Sequence, residues 1–132
     1  MPFPMEKNMR EIMAASVVKE TMHPFLEKGF FFEYFYEENE AGLPVYICRF
    51  KKDKAYIDWQ ETEDGKEIVV CVHTEESDSV LNLKALYPKA FRRWFWRNLF
   101  RKPNVNERRS FIASLLVEEF ESEKPDFFGI KK

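Results

Sequence analysis

Residues 30–74 read FFFEYFYEENEAGLPVYICRFKKDKAYIDWQETEDGKEIVVCVHT, and this stretch decides the fold. Its apolar residues alternate with polar ones, a period of two that marks half-buried strands. Four runs stand out: Phe30–Glu38, Val45–Lys51, Ala55–Thr62 and Glu67–Thr74. A turn holding Gly42 and Pro44 separates the first two, and Lys52-Asp53-Lys54 separates the next two. Glu63-Asp64-Gly65-Lys66 precedes the last, and its Asp-Gly pair is a strong hairpin signal. Turns this short join antiparallel neighbours, so a four-stranded antiparallel meander is expected. The charged residues from Glu75 to Ser79 read as the end of the sheet, and Val80–Leu86 fits a short helix or a fifth strand.

Helical periodicity flanks this stretch. Upstream, Asn8 with Glu11 forms a capping pair, and Ile12, Ala15, Val18, Met22, Phe25 and Leu26 make one apolar stripe. Pro24 lacks the N–H that would reach the Glu20 carbonyl, so it kinks or divides this helix. Lys28-Gly29-Phe30 is a stop signal with glycine at the left-handed position. Downstream, Pro88 opens a helix expected to run to about Arg101. Asn104 with Glu107 caps a last helix, whose buried face is Phe111, Ile112, Leu115, Leu116 and Phe120. Pro125 ends it. The termini, 1–7 and 126–132, read as irregular, although Phe127, Phe128 and Ile130 suggest that the tail docks.

The expected fold class is therefore α+β: an N-terminal helix, the meander, and two to three C-terminal helices packed on the sheet. The 132 residues suit a single α+β domain, 1–132. Fourteen phenylalanines within a 17% aromatic fraction supply a core without disulfide or metal. Cys48 and Cys71 fall on strands that do not neighbour each other, so both read as reduced, buried thiols. The N-terminus carries no apolar segment of signal-peptide length, and no run approaches the roughly 18 apolar residues of a membrane span. A cytoplasmic protein is expected.

Charge is divided along the chain. From Lys84 to Arg109 nine Lys/Arg meet one acid, Glu107. From Glu33 to Asp78 thirteen Asp/Glu meet five Lys/Arg, so a net charge of −2 hides two opposed regions. On a helical wheel Arg93, Arg97 and Arg101 form a stripe bordered by Trp94, while Phe91, Phe95, Trp96 and Leu99 occupy another arc. Either this is a core helix with a solvated basic face, or the stripe meets an anionic partner. A nucleic-acid binder is usually basic as a whole, which disfavours that class. A membrane-surface helix needs aromatics free to insert, whereas these are expected to cover the sheet. An acidic protein partner is left, a second copy of the chain (a homodimer) included.

The strands offer a second surface. Alternation sets Phe30, Phe32, Tyr34 and Tyr36 on one face and Phe31, Glu33, Phe35 and Glu37 on the other, so both faces of the first strand are aromatic. Tyr34 and Tyr36 join Arg93, Trp94, Arg97 and Arg101 as candidate partner-binding residues. An alternative reading is a small-molecule pocket on a curled sheet, lined by Tyr34, Tyr46, Tyr56 and Trp59 with Arg49 or His73 as its polar handle. His73 with Asp58 on the adjacent strand is a conceivable dyad, but no nucleophile stands beside it, so no enzyme activity is expected. The His73–Asp78 stretch matches no metal loop, all four glycines are accounted for by turns or ends, and no cofactor or metal is expected. Glu61, Glu63, Asp64 and Glu67 read as a soluble turn, and Glu118, Glu119, Glu121 and Glu123 as the outer face of the last helix. The expected function is a non-enzymatic protein-interaction module of adaptor, chaperone-like or toxin-neutralising type.

Overall fold

The computed structural model describes residues 15–38, 40–62 and 67–132. The Asn8–Glu11 cap, Ile12, the 1–7 terminus and the Asp-Gly turn lie outside these residues. Alternation in the quoted stretch produces β1 (Phe31–Glu38), β2 (Pro44–Lys52), β3 (Ala55–Thr62) and β4 (Ile68–His73), each antiparallel to the next. The Lys52-Asp53-Lys54 turn is tight because Asp53 adopts the left-handed region at φ 56°.

The sheet does not stop there. A fifth strand, β5 (Asp78–Val80), extends it in the order β1-β2-β3-β4-β5. The acidic run read as an ending is a turn, closed by the Thr74 N–H donating to the Ser77 carbonyl at 2.9 Å. All of β5 is exposed, so no apolar alternation announces it.

The first helical stretch is divided as expected. Residues 15–21 form α1, a turn falls at Met22, and α2 (His23–Glu27) restarts with Pro24 in its first turn. Gly29 at φ 92° then ends it: the Gly29 N–H bonds the Leu26 carbonyl and the Phe30 N–H bonds that of Phe25. After the sheet come α3 (Leu83–Leu86), α4 (Pro88–Arg97) and α5 (Val105–Phe120). At the start of α5 the Glu107 N–H donates to Asn104 Oδ1 at 2.8 Å, and the Asn104 N–H returns to Glu107 Oε1 at 3.3 Å. The tail is not irregular: β6 (Asp126–Phe127) and β7 (Ile130–Lys131) pair as a small hairpin. Its Phe127 and Ile130 are buried, and Lys132 Nζ donates to the carbonyls of Glu119 and Ser122 at the end of α5.

One face of the sheet, carrying Cys48, Phe50, Ile57, Trp59, Val70 and Val72, forms a single core with Val18, Met22, Phe25, Ile112, Leu116 and Phe120 of the helices. Phe25 sits among other rings, stacked on Phe120 at 4.0 Å and edge-on to Phe30 and Phe127 at 5.4 and 5.2 Å. A further tie, invisible to hydrophobic pattern, joins β3 to α5. Glu61 is 2% exposed, and it accepts from Arg109 Nε at 2.9 Å, from Arg109 Nη2, and from Trp59 Nε1 at 3.3 Å. Glu61 is therefore a core residue rather than part of a soluble turn. Glu119 is likewise engaged, accepting from the Tyr87 hydroxyl at 3.1 Å.

Candidate docking surface

Pro88 starts α4 with the fixed φ a first turn requires. Phe91 and Trp94, three apart, turn toward α5. Trp94 stacks on Phe111 at 4.4 Å and 5°, and Phe91 meets the same ring edge-on at 5.1 Å. This narrow contact is what α4 contributes inward, and none of its residues is fully buried. The helix stops at Arg97 because Asn98 caps it, its amide donating to the Trp94 carbonyl at 2.8 Å.

The expected arc is thereby divided: Phe91 faces inward as expected and the rest of it does not. Trp94, expected at the arginine border, is the half-buried anchor. Phe95, Trp96 and Leu99, expected in the core, are 62%, 64% and 45% exposed, and Phe100 is 97% exposed. The cause is the helix's seat: it leans on one ring of α5 instead of lying across the sheet, so one row (Phe91, Trp94) meets the body. The premise used against a membrane-surface helix, that these rings cover the sheet, fails with it.

Cations frame these rings. Residues 88–103 hold Lys89, Arg92, Arg93, Arg97, Arg101 and Lys102 and no acid. Arg92, Arg93 and Arg97 are exposed and form no ion pair among the described residues. Arg101 leaves the expected stripe. It lies past the helix end and grips Glu107 through two bonds of 2.9 and 2.6 Å. That bond raises the guanidinium pKa and, with the Asn104 N–H, lowers that of Glu107.

Between α4, the first half of α5 and the start of β4 lies an open cleft of about 890 Å³. Phe91, Phe95, Phe111 and Ile112 supply apolar lining, and among the described residues Lys84, Arg92 and Arg108 line it with one carboxylate, Glu67.

The strand candidates lie elsewhere. Tyr34 and Trp59 belong to the core side of the sheet, with Tyr46 in phase with Cys48 and Tyr36 tilted against Tyr46 at 5.5 Å. Tyr34 and Tyr36 stand on the β1 edge, three strands from the β4 residues that line the cleft, about 14 Å at sheet spacing. Arg49, Tyr56 and His73 lie on the opposite face, so the proposed pocket of Tyr34, Tyr46, Tyr56 and Trp59 is split by the sheet itself. On that face Arg49 is already held: it donates to both oxygens of Asp58, at 2.7 and 2.9 Å, and lies 3.9 Å over the Tyr56 ring and 5.0 Å over Phe35. His73 stacks on Tyr56 at 4.5 Å, and its Nδ1 bonds Asp78. The His73–Asp58 dyad does not form: the two stand diagonally on the same face, but Asp58 is taken by Arg49 and His73 by Asp78.

Both thiols are free, and burial pushes Cys48 up to about 12 and also raises Cys71. Among the described residues no group of three or more His, Cys, Asp or Glu is placed to hold a metal ion. No helix among them is long and apolar enough to cross a membrane. Comparison with protein-family models, curated proteins and solved structures finds no match.

Proposed function

We propose that this protein is a non-enzymatic interaction module that docks a protein partner through α4 and the segment following it to Lys102. The observation that carries this is the exposure of Phe95 and Trp96 on α4 and of Leu99 and Phe100 just after it, in a stretch that gives the core no buried residue. A contiguous apolar surface of this kind rimmed by cations is characteristic of an interface. Trp96 and Phe100 are its anchors, Arg93 and Arg97 its polar rim, and Trp94 holds the helix in place. Tyr34 and Tyr36 take no part in this surface. A symmetric pairing of two such helices would set arginine against arginine, so the surface that meets α4 is an acidic one. The free thiols of Cys48 and Cys71 suit a reducing compartment, the cytoplasm.

The test is comparative. Tagged wild-type protein and the Trp96→Ser/Leu99→Ser/Phe100→Ser variant are used to recover partners side by side, with circular dichroism confirming a common fold. A partner retained by the wild type and lost by the variant is expected. Identical recovery by both would refute the reading.

A further inference from the structure

We propose that the cleft beside α4 seats an acidic amphipathic helix of the partner. This inference rests on the docking role proposed above and names the partner's chemistry. Shape is the first argument. The cleft, about 890 Å³, is concave and lined by Phe91, Phe95, Phe111 and Ile112. Such a hollow accepts side chains projecting from a ridge. A helix presents that ridge as apolar residues at i, i+3 or i+4, and i+7. A bilayer surface and a nucleic-acid backbone match the positive charge but bring no row of apolar knobs to fill the hollow.

Charge is the second argument. Among the described residues Lys84 and Arg92 are exposed on the cleft, and Glu67 is the one carboxylate that lines it. Arg93 and Arg97 continue the cationic surface along α4. A helix laid in this groove gains by carrying carboxylates beside its apolar ridge, and a basic one is repelled. Being solvent-exposed, these charges act mainly on association rate and on salt dependence.

The probe is a labelled synthetic peptide with leucines at helical spacing and glutamates between them. A scrambled peptide of the same composition and an analogue with lysine in place of glutamate serve as comparators. Fluorescence anisotropy is read with wild-type protein, Phe95→Ser and Arg92→Glu, two exposed positions whose substitution leaves the core intact. The acidic helix is expected to bind saturably and the scrambled peptide not. Each substitution should weaken binding at least about tenfold. The lysine analogue should prefer Arg92→Glu to wild type, a reversal that a merely structural role would not produce. Equal binding of ordered and scrambled peptides, or no effect of either substitution, overturns the proposal. Vesicles of phosphatidylcholine with phosphatidylserine are titrated in parallel. Vesicle binding without peptide binding overturns the helical occupant while leaving α4 a docking surface. If neither probe binds and the Trp96→Ser/Leu99→Ser/Phe100→Ser variant also recovers every wild-type partner, both readings fall.

Discussion

Arg109 carries a large consequence for a single residue. It reaches from α5 into the core side of the sheet to meet Glu61, whose carboxylate is otherwise sealed from water. Arg109→Ala strands a buried charge and should destabilise by about 3–5 kcal/mol. The double variant Glu61→Leu/Arg109→Met should recover most of that loss, since apolar replacements of a buried pair are often neutral. Urea unfolding midpoints check both. The position of Glu61 is legible in the pattern, because it falls in phase with Ile57 and Trp59 on β3. Its residue type hid it, since glutamates beside a turn are normally solvated. The capping pair at Asn104, in contrast, is fully legible, and Asn104→Ala should lower stability by about 1 kcal/mol in the same assay.

Cys48 yields the pH prediction. Folding raises its thiol from the ordinary 9.0 to about 12 by burial. The folded protein therefore holds a proton that the unfolded chain gives up above pH 9.0. Stability from this residue is complete below that pH and is lost as pH rises toward about 12. Cys48→Ala should flatten the decline in unfolding free energy on the alkaline side. An unchanged slope would contradict the assignment. For the same reason, thiol reagents should modify Cys48 at neutral pH only as the protein unfolds.

At the scale of elements, α4 is set apart by how little it packs. Its hold on the body is the stack of Trp94 on Phe111. Trp94→Ala should therefore speed hydrogen exchange in 88–98 with small effect on the sheet. Trp96→Ser and Phe100→Ser should each change stability by less than about 0.5 kcal/mol, as befits exposed positions. A wheel alone could show that this helix has apolar and basic rows. It could not show which row faces inward, because that depends on the neighbour, and the neighbour is one ring of a helix that follows in the chain. The fifth strand, one of two readings for Val80–Leu86, lies earlier at Asp78–Val80, with a helix at Leu83–Leu86, because three exposed residues paired through backbone alone leave no hydrophobic trace. The four main strands and the break at Pro24 were readable because alternation and the missing proline donor act locally.

At the scale of the whole molecule, the core is closed by the tail. Phe127 packs edge-on against Phe25, and Lys132 satisfies carbonyls at the end of α5. Phe127→Ala should cost about 3–5 kcal/mol, measurable as a lowered thermal midpoint. The apolar tail residues announced a docking segment, though not the hairpin, which sets Phe128 at φ 48° and Gly129 at φ 95°. Of the basic region read from the chain, Arg92, Arg93 and Arg97 lie exposed on α4, beside the cleft that β4 rather than β1 borders. The sheet, α1, α2, α5 and the tail make the core, whereas α4 gives it no buried residue, and the proposed docking role uses that division, with Phe111 and Ile112 as the floor the two share. Hydrogen–deuterium exchange with and without the acidic helical peptide addresses that division most directly. The account predicts slowed exchange in 88–100 and along the start of α5, with the β1–β2 hairpin unchanged. Slowing confined to β1–β2, or none anywhere at saturating peptide, would contradict it.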